Sequence, residues 1–551
     1  MMKAEIKIMN GMPRLFVNGE VIPPDAYITY FTDKARYGDF SEVGYRLFSI
    51  PIFCSSRPIN EISQAPCFTT AIFDTDTPRF DVFDTEFHRA IEACPDALIL
   101  PRINLSPSLA WELENPDELA YEGVDGHPPR PCFSSDKWIG EMKRLLTLII
   151  DHVEKSDYRE HVIGYQLAAG HTEEWFSHDT LGSIGLRSRE KFNQRCAERG
   201  INPDEESYYA FLSDIVAERI CELARHAKEK AGDVALVGSF YGYTLECPFR
   251  EACHSSLDIL LNCTDIDFLC SPVSYAHERE LGRDHGCMLP TESIILHGKL
   301  YFAENDTRTH LTRPPYPDLE YFNRPVFGPR DKNETVEMLK MHYAKALING
   351  YGHWWFDMWG GWFDDSVYMN YMKSFLQLSR EHACSQPRKM AEIAVFIDEK
   401  AYAGIKDGAV GHSVVYESRE ALGVMGAPYD IYLASDYRYV KDSYPAKILL
   451  KPRDTALSAE IEGSVGTLTV IDTLDEKVLK DFLNDCGIHL YTERKSVIYV
   501  NDSFLFLHTS EDGEQKINLR EDKKLFEVFE KKYYPSTFES ARGKSYLFKI
   551  C

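Results

Sequence analysis

Nowhere in the 551 residues do eighteen uncharged apolar residues run together, so no transmembrane helix is expected. The opening Met1-Met2-Lys3-Ala4-Glu5-Ile6-Lys7-Ile8-Met9 alternates in charge and lacks the apolar centre of a secretory leader, which predicts a cytoplasmic protein. Lys and Arg number 61 against 86 Asp and Glu, a formal net charge of −25, and they form no basic block. Nothing is therefore available to neutralise phosphates or anionic headgroups, and neither nucleic acid nor membrane is expected as a partner. The 14 cysteines contain no Cys-x-x-Cys pair, and Cys247 and Cys253 have no second pair at zinc spacing; reduced, buried thiols are expected rather than a metal site or a disulfide frame. A metal-dependent barrel hydrolase would need a His-x-His or His/Asp cluster at strand ends, and no His-x-His occurs. Acyl transfer lacks a Gly-x-Ser-x-Gly elbow, and no phosphate-binding Gly-rich loop stands out.

What is present is an ordinary globular composition, 44% hydrophobic and 27% charged, with a surplus of aromatic residues at 13%. Length alone suggests about three domains. Ile6 and Ile8, the turn Asn10-Gly11, then Leu15, Val17 and Ile22 read as a hairpin, which predicts an N-terminal β-flap over residues 1–30. From 31 to 387 apolar runs alternate with amphipathic stretches, the pattern of a (β/α)8 TIM barrel. Its expected strands are Gly44 to Ser49, Ala97 to Asn104, a poorly defined third near Leu145 to Val153, His161 to Leu167, Val234 to Tyr241, Phe268 to Tyr275, Leu300 to Glu304 and His353 to Met358. Residues 388–485, with the buried run Ile393 to Asp398 and the strand Lys447 to Leu450, predict a flavodoxin-like α/β domain. Short strands from Ile488 to His508 predict a C-terminal β-sandwich over 486–551.

Two barrel strands run into carboxylates. Gly164-Tyr165-Gln166-Leu167-Ala168-Ala169-Gly170-His171-Thr172-Glu173-Glu174-Trp175 ends the fourth, and Leu300-Tyr301-Phe302-Ala303-Glu304-Asn305-Asp306-Thr307-Arg308 ends the seventh. Residues at the carboxyl ends of different strands converge on a barrel's active site. Paired carboxylates there suggest glycoside hydrolysis, in which one protonates the leaving oxygen and the other attacks the sugar carbon or positions water; a retaining mechanism needs them roughly 5–5.5 Å apart. A proton donor needs a raised pKa, which burial against Trp175 and Phe176 would supply, and a nucleophile must stay charged, which Arg308 could ensure. Glu173 and Glu174 compete for the donor role.

The strand-four Glu, strand-seven Glu, aromatic eighth strand, flavodoxin-like second domain and β tail together resemble clan-A glycoside hydrolases, most closely the family-42 β-galactosidases. The resemblance implies Glu304 as nucleophile and Glu174 as acid/base, since related barrels present a Glu directly before Trp here. It implies a retaining exo-acting hydrolase with a β-galactoside-like carbohydrate substrate and no cofactor, assembled as a homo-oligomer, a trimer or dimer. The chain departs from the clan in two respects: Thr172-Glu173-Glu174 replaces the usual Asn-Glu, and the four-cysteine zinc cluster of many family-42 members is absent. Further strand-end candidates for holding substrate are Arg102 and Asn104, Gln166, Tyr241 and Tyr275, Glu173, Asp306 and Arg308. From the aromatic run Gly352 to Phe363 come Trp355, Asp357 and Trp359, with Trp354 as the alternative if the strand alternates the other way. The competing account is a noncatalytic carbohydrate-binding barrel, which Glu304→Gln separates from an enzyme.

Overall fold

The computed structural model describes residues 2–57, 66–75, 77–121, 130–170, 173–176, 184–232, 234–319, 328–385 and 387–551. Eight parallel strands close into a barrel in chain order: β1 (Asp25–Ile28), β2 (Leu47–Phe53), β3 (Leu98–Asn104), β4 (Gly164–Ala168), β5 (Leu236–Phe240), β6 (Phe268–Pro272), β7 (Leu300–Asn305) and β8 (Gly352–Phe356). Nearly every residue in these strands is buried, as expected of a parallel sheet sheathed by helices on one side and filled on the other. Layers of large side chains fill the bore. A Cβ at Gly238 would lie 2.3 Å from the Phe268 ring, so β5 is bare at that point to admit the aromatic from β6. Among the described residues no helix is long and apolar enough to cross a membrane.

Two strand expectations are corrected. The barrel's first strand is Asp25–Ile28, which falls in the segment expected to belong to the flap; four residues that are all buried carry no alternation to reveal them. The stretch Leu145 to Val153 is no strand but part of helix α1 (Asp136–Lys155), whose buried Trp138, Ile139, Met142, Leu145, Leu146, Ile149, Ile150 and Val153 recur every three or four residues. Ser135 caps α1 by accepting from Trp138 N at 2.9 Å. Read alone, Leu-Thr-Leu-Ile-Ile imitates a buried strand, and only the wider window shows the helical period. The two errors cancel in the count of eight.

Strands Ala4–Met9 and Met12–Val17 pair through a two-residue turn at Asn10 and Gly11, both at positive φ, as the sequence predicts, and Glu20–Ile22 adds a third strand. This flap covers the barrel floor: Ala4 N donates to Val234 O just before β5. The second domain holds the parallel strands β9 (Ile393–Ile397), β10 (Tyr429–Leu433), β11 (Ala446–Leu450) and β12 (Thr467–Val470) in the order β10-β9-β11-β12, a flavodoxin-like arrangement. The tail is a five-stranded antiparallel sheet in the spatial order Ser496–Val500, Phe504–Thr509, Ser545–Ile550, Leu525–Glu527 and Lys532–Tyr534. Beside it lies the ribbon Gly513–Lys516 with Thr537–Ser540, whose Phe538 packs on the sheet's core.

Candidate active site

β4 ends at Ala168, and the chain then makes a tight turn in which Gly170, Glu173 and Trp175 all have positive φ. Left-handed backbone at a glutamate and a tryptophan costs of order 1–3 kcal/mol each, and persists only where packing enforces it. Trp175 provides that packing. Its ring is fully buried 5.6 Å from Phe133, its amide donates to Ala169 O at 2.8 Å, and a Cβ at Gly170 would clash with Phe133 and with Phe176 O. The anchored turn sends Glu173 and Glu174 different ways. Glu173 enters the bore, 1% exposed; Glu174 stays half-buried and accepts from Tyr243 Oη at 2.8 Å.

Arg102, from β3, organises the bore's upper layer. Its Nη1 donates to Glu304 Oε1 at 2.7 Å, and its Nε lies 3.5 Å from Glu173 Oε2. The rings of Tyr30, Phe240 and Phe356 surround the guanidinium at 5.3–5.8 Å. Burial works against Arg102's charge, yet Glu304, Tyr30 and Glu173 hold its pKa above the ordinary value. Burial pushes the Glu304 carboxyl up, Arg102 draws it back, and Asp306 raises it again. Burial likewise raises Glu173, opposed by Arg102, Asn104 and Tyr30, whose hydroxyl donates to Oε2 at 3.1 Å. Below them, Gln166 Nε2 donates to Cys270 Sγ at 2.8 Å, so Gln166 supports the layer rather than lining an open surface. Arg102, Asn104, Gln166, Glu173 and Glu304 are thus brought together.

A cavity of about 160 Å3 opens beside this layer, lined by Tyr275, Arg279, Asp306, Arg308, Trp359 and Trp362 among others. Tyr275 Oη donates to Asp306 Oδ2 at 2.9 Å, and Arg279 pairs with Asp306 Oδ1 at 2.6 Å. The Arg308 guanidinium lies 5.1 Å from the Trp359 ring centre, forming one wall. The expected pocket roles of Tyr275, Asp306, Arg308 and Trp359 therefore have a common location.

No protein-family model matches the chain, and no curated protein matches it in sequence. Solved structures do match its fold. The β-galactosidase from Bacillus circulans sp. alkalophilus superposes with a TM-score of 0.64 at 9% identity, over 96% of this chain and 99% of that one. The GH42 exo-carrageenase from Bacteroides ovatus gives 0.62 at 11% identity, over 99% and 84%. A catalytic mutant of Gan42B, a GH42 β-galactosidase from G. stearothermophilus, gives 0.60 at 8%, over 96% and 98%. The chain shares the fold of these structures.

Within that fold several expected residues lie elsewhere than the pocket. Tyr241 points outward from the end of β5: it accepts from Ser256 N at 3.0 Å and stacks on His254 at 4.5 Å. Two positions on, Tyr243 is the hydroxyl that meets Glu174, and its backbone N–H donates to His254 Nδ1, an imidazole that burial keeps neutral with a pKa lowered to about 3. Trp355 belongs to the sheath, donating to Tyr45 Oη at 2.9 Å and stacking on Phe375; its neighbour Trp354 faces the bore against Phe302. Asp357 ties down the turn after β8, accepting from Tyr27 Oη, Gly361 N and Trp362 N at 2.8–3.1 Å. Its effect on the pocket is indirect, through the placement of Trp359 and Trp362. The cation on Glu304 is Arg102 rather than Arg308. Tyr30 and Tyr243 carry no sequence signal beyond lying past a strand end.

Proposed function

We propose that this protein is a retaining exo-glycoside hydrolase acting on β-galactoside-like sugars, with Glu304 as nucleophile and Glu174 as acid/base. The observation that carries the reading is the buried Glu304 carboxylate at the end of β7, gripped by Arg102 at 2.7 Å beside an aromatic pocket. Such a grip keeps an otherwise disfavoured charge available for attack. In the first step Glu304 attacks the anomeric carbon while the leaving oxygen takes a proton from Glu174. In the second, Glu174 removes a proton from water, the water oxygen attacks the same carbon, and the Glu304 ester bond breaks to release sugar with its original configuration. Tyr243 orients Glu174, and the Trp359 ring offers an apolar face for a pyranose.

The acid/base assignment favours Glu174 over Glu173 because Glu173 already shares Arg102 with Glu304, whereas Glu174 stands half-exposed next to the cavity-lining Tyr275, with which it interacts electrostatically. Homo-oligomeric assembly and a cytoplasmic location belong to the same proposal, and light scattering of the purified chain tests the first. The function is tested by screening chromogenic glycosides with wild type and Glu304→Gln side by side, then following the first-formed anomer by NMR. Hydrolysis that vanishes in the variant and proceeds with retention is the expected result; binding without turnover in the wild type would instead indicate a carbohydrate-binding barrel.

A further inference from the structure

Tyr243 holds Glu174 by its side chain, and one imidazole holds both residues by their backbones. His254 lies in the loop after β5 and is 1% exposed; Cys253 before it takes left-handed backbone at φ +54°. Such backbone at a cysteine persists only where the surroundings enforce it. Thr244 Oγ1 donates to His254 O at 2.9 Å, the Tyr241 hydroxyl accepts from Ser256 N at 3.0 Å, and the Tyr241 ring stacks on the imidazole at 4.5 Å. Phe176, two residues past Glu174, packs on the same imidazole at 4.7 Å. The ring therefore sits between the β5 loop and the turn that follows β4.

Its two nitrogens do different work. Nδ1 accepts from Tyr243 N at 3.3 Å and so carries no hydrogen. The imidazole also bonds the backbone of Glu174; with Nδ1 taken as the acceptor, it is Nε2–H that donates to the Glu174 carbonyl. Burial keeps the ring neutral, its pKa lowered to about 3, so this tautomer persists at any pH where the protein is folded and active. A protonated ring would set an N–H against the Tyr243 N–H. Since Tyr243 Oη donates to Glu174 Oε1 at 2.8 Å, the glutamate has its carboxyl and its carbonyl fixed from the same strand end. A proton donor displaced by about 1 Å can lose about 100-fold in rate. Simple packing would need only a ring at this place, not a donor and an acceptor.

Resting on the hydrolase reading above, we infer that His254 is a positioning residue for the acid/base: its imidazole latches the turn carrying Glu174 to the end of β5 and fixes where the proton is delivered. The test uses the full chain with two variants. His254→Phe keeps a ring against Tyr241 and Phe176 but neither hydrogen bond, whereas the amide of His254→Gln retains a donor in the place of Nε2. Each is assayed on a dinitrophenyl glycoside, whose leaving group departs without a proton, and on an alkyl glycoside of the same sugar, whose leaving group needs one. In His254→Phe, kcat/KM should fall about 100-fold on the alkyl glycoside and less than about threefold on the dinitrophenyl one. Azide, which attacks the glycosyl ester without a base, should raise kcat of that variant on the dinitrophenyl substrate, and His254→Gln should recover at least about tenfold of the alkyl loss. Equal losses on both substrates, or none, overturn the inference while leaving the hydrolase intact. If the wild type cleaves no glycoside, hydrogen exchange at the Trp175 amide, which donates to Ala169 O at 2.8 Å, decides. Exchange at least about tenfold faster in His254→Phe, and near wild type in His254→Gln, upholds the latch and sinks only the hydrolase reading; exchange unmoved in His254→Phe overturns the latch.

Discussion

Replacing Arg102 with Met keeps an apolar stem in the bore but removes the cation that lies between Glu304 and Glu173 and against the rings of Tyr30, Phe240 and Phe356. Removing one partner of a buried ion pair costs roughly 3–5 kcal/mol, because the remaining charge stays buried without compensation. Two carboxylates lose their partner at once, so the chain's thermal midpoint should fall on the order of 5–10 °C. The same loss acts on chemistry. An electrostatic stabilisation of about 3 kcal/mol is about two powers of ten in the dissociation constant of Glu304, so the ionised fraction, and kcat/KM at pH 7 with it, should drop well beyond threefold. Both carboxyls already have raised pKa values through burial, and losing the cation raises them further. A carboxyl whose pKa rises on folding binds its proton more tightly in the native state, so the stability it lends is complete in acid and lost as pH climbs through the folded value. Arg102→Met should accordingly be least destabilised in acid, and its acid limb of kcat/KM should move to higher pH with partial recovery of activity in alkali. A pH–rate profile from 5 to 10 beside melting curves measures both. Activity within threefold of wild type at pH 7, with the acid limb unmoved, would refute the role given to Arg102.

Trp359→Ala should raise KM about tenfold or more with a smaller change in kcat, whereas Trp355→Phe should leave steady-state kinetics within twofold and lower only the melting temperature; the two variants separate pocket from sheath. Arg419, from the second domain, donates to Glu246 Oε2 at 2.7 Å, and Glu246 Oε1 accepts from Tyr275 N at 2.8 Å, so Arg419→Ala should loosen Tyr275 and raise KM severalfold with kcat nearly kept. Equal losses in kcat and KM from Arg419→Lys and Arg419→Ala would count against that link. Asp357 has its pKa raised to about 6 by burial, so its contribution favours the native state below pH 4 and declines by about 3 kcal/mol as pH rises through 6. Melting curves of Asp357→Asn between pH 4 and 7 should lack that slope.

The barrel was legible because a parallel strand buried on both faces leaves an apolar run that ends at a polar residue, as β3, β7 and β8 do at Asn104, Asn305 and Asp357. β1 escaped because four residues are too few for a pattern, and α1 misled because its apolar stripe contains a locally strand-like stretch. At the site, residue type and strand position nominated Glu304, Glu174 and Arg102, and the structure pairs Arg102 with Glu304. Which side chain faces inward depends on the phase of alternation at a strand's last residue and on the turn beyond it, and this decided Trp355 against Trp359 and Tyr241 against Tyr243. The turn at Glu173 departs from strand geometry altogether, through left-handed backbone that only the packing of Trp175 explains.

On the proposed mechanism Glu304 bonds to the sugar. Glu174→Ala, incubated with an aryl glycoside whose leaving group needs no proton, should accumulate the ester, because the step that activates water has lost its base. Intact-mass spectrometry followed by peptide mapping should then find one sugar residue added, on the peptide carrying Glu304. Turnover with no adduct at any stage, or an adduct on Glu173, would contradict the account.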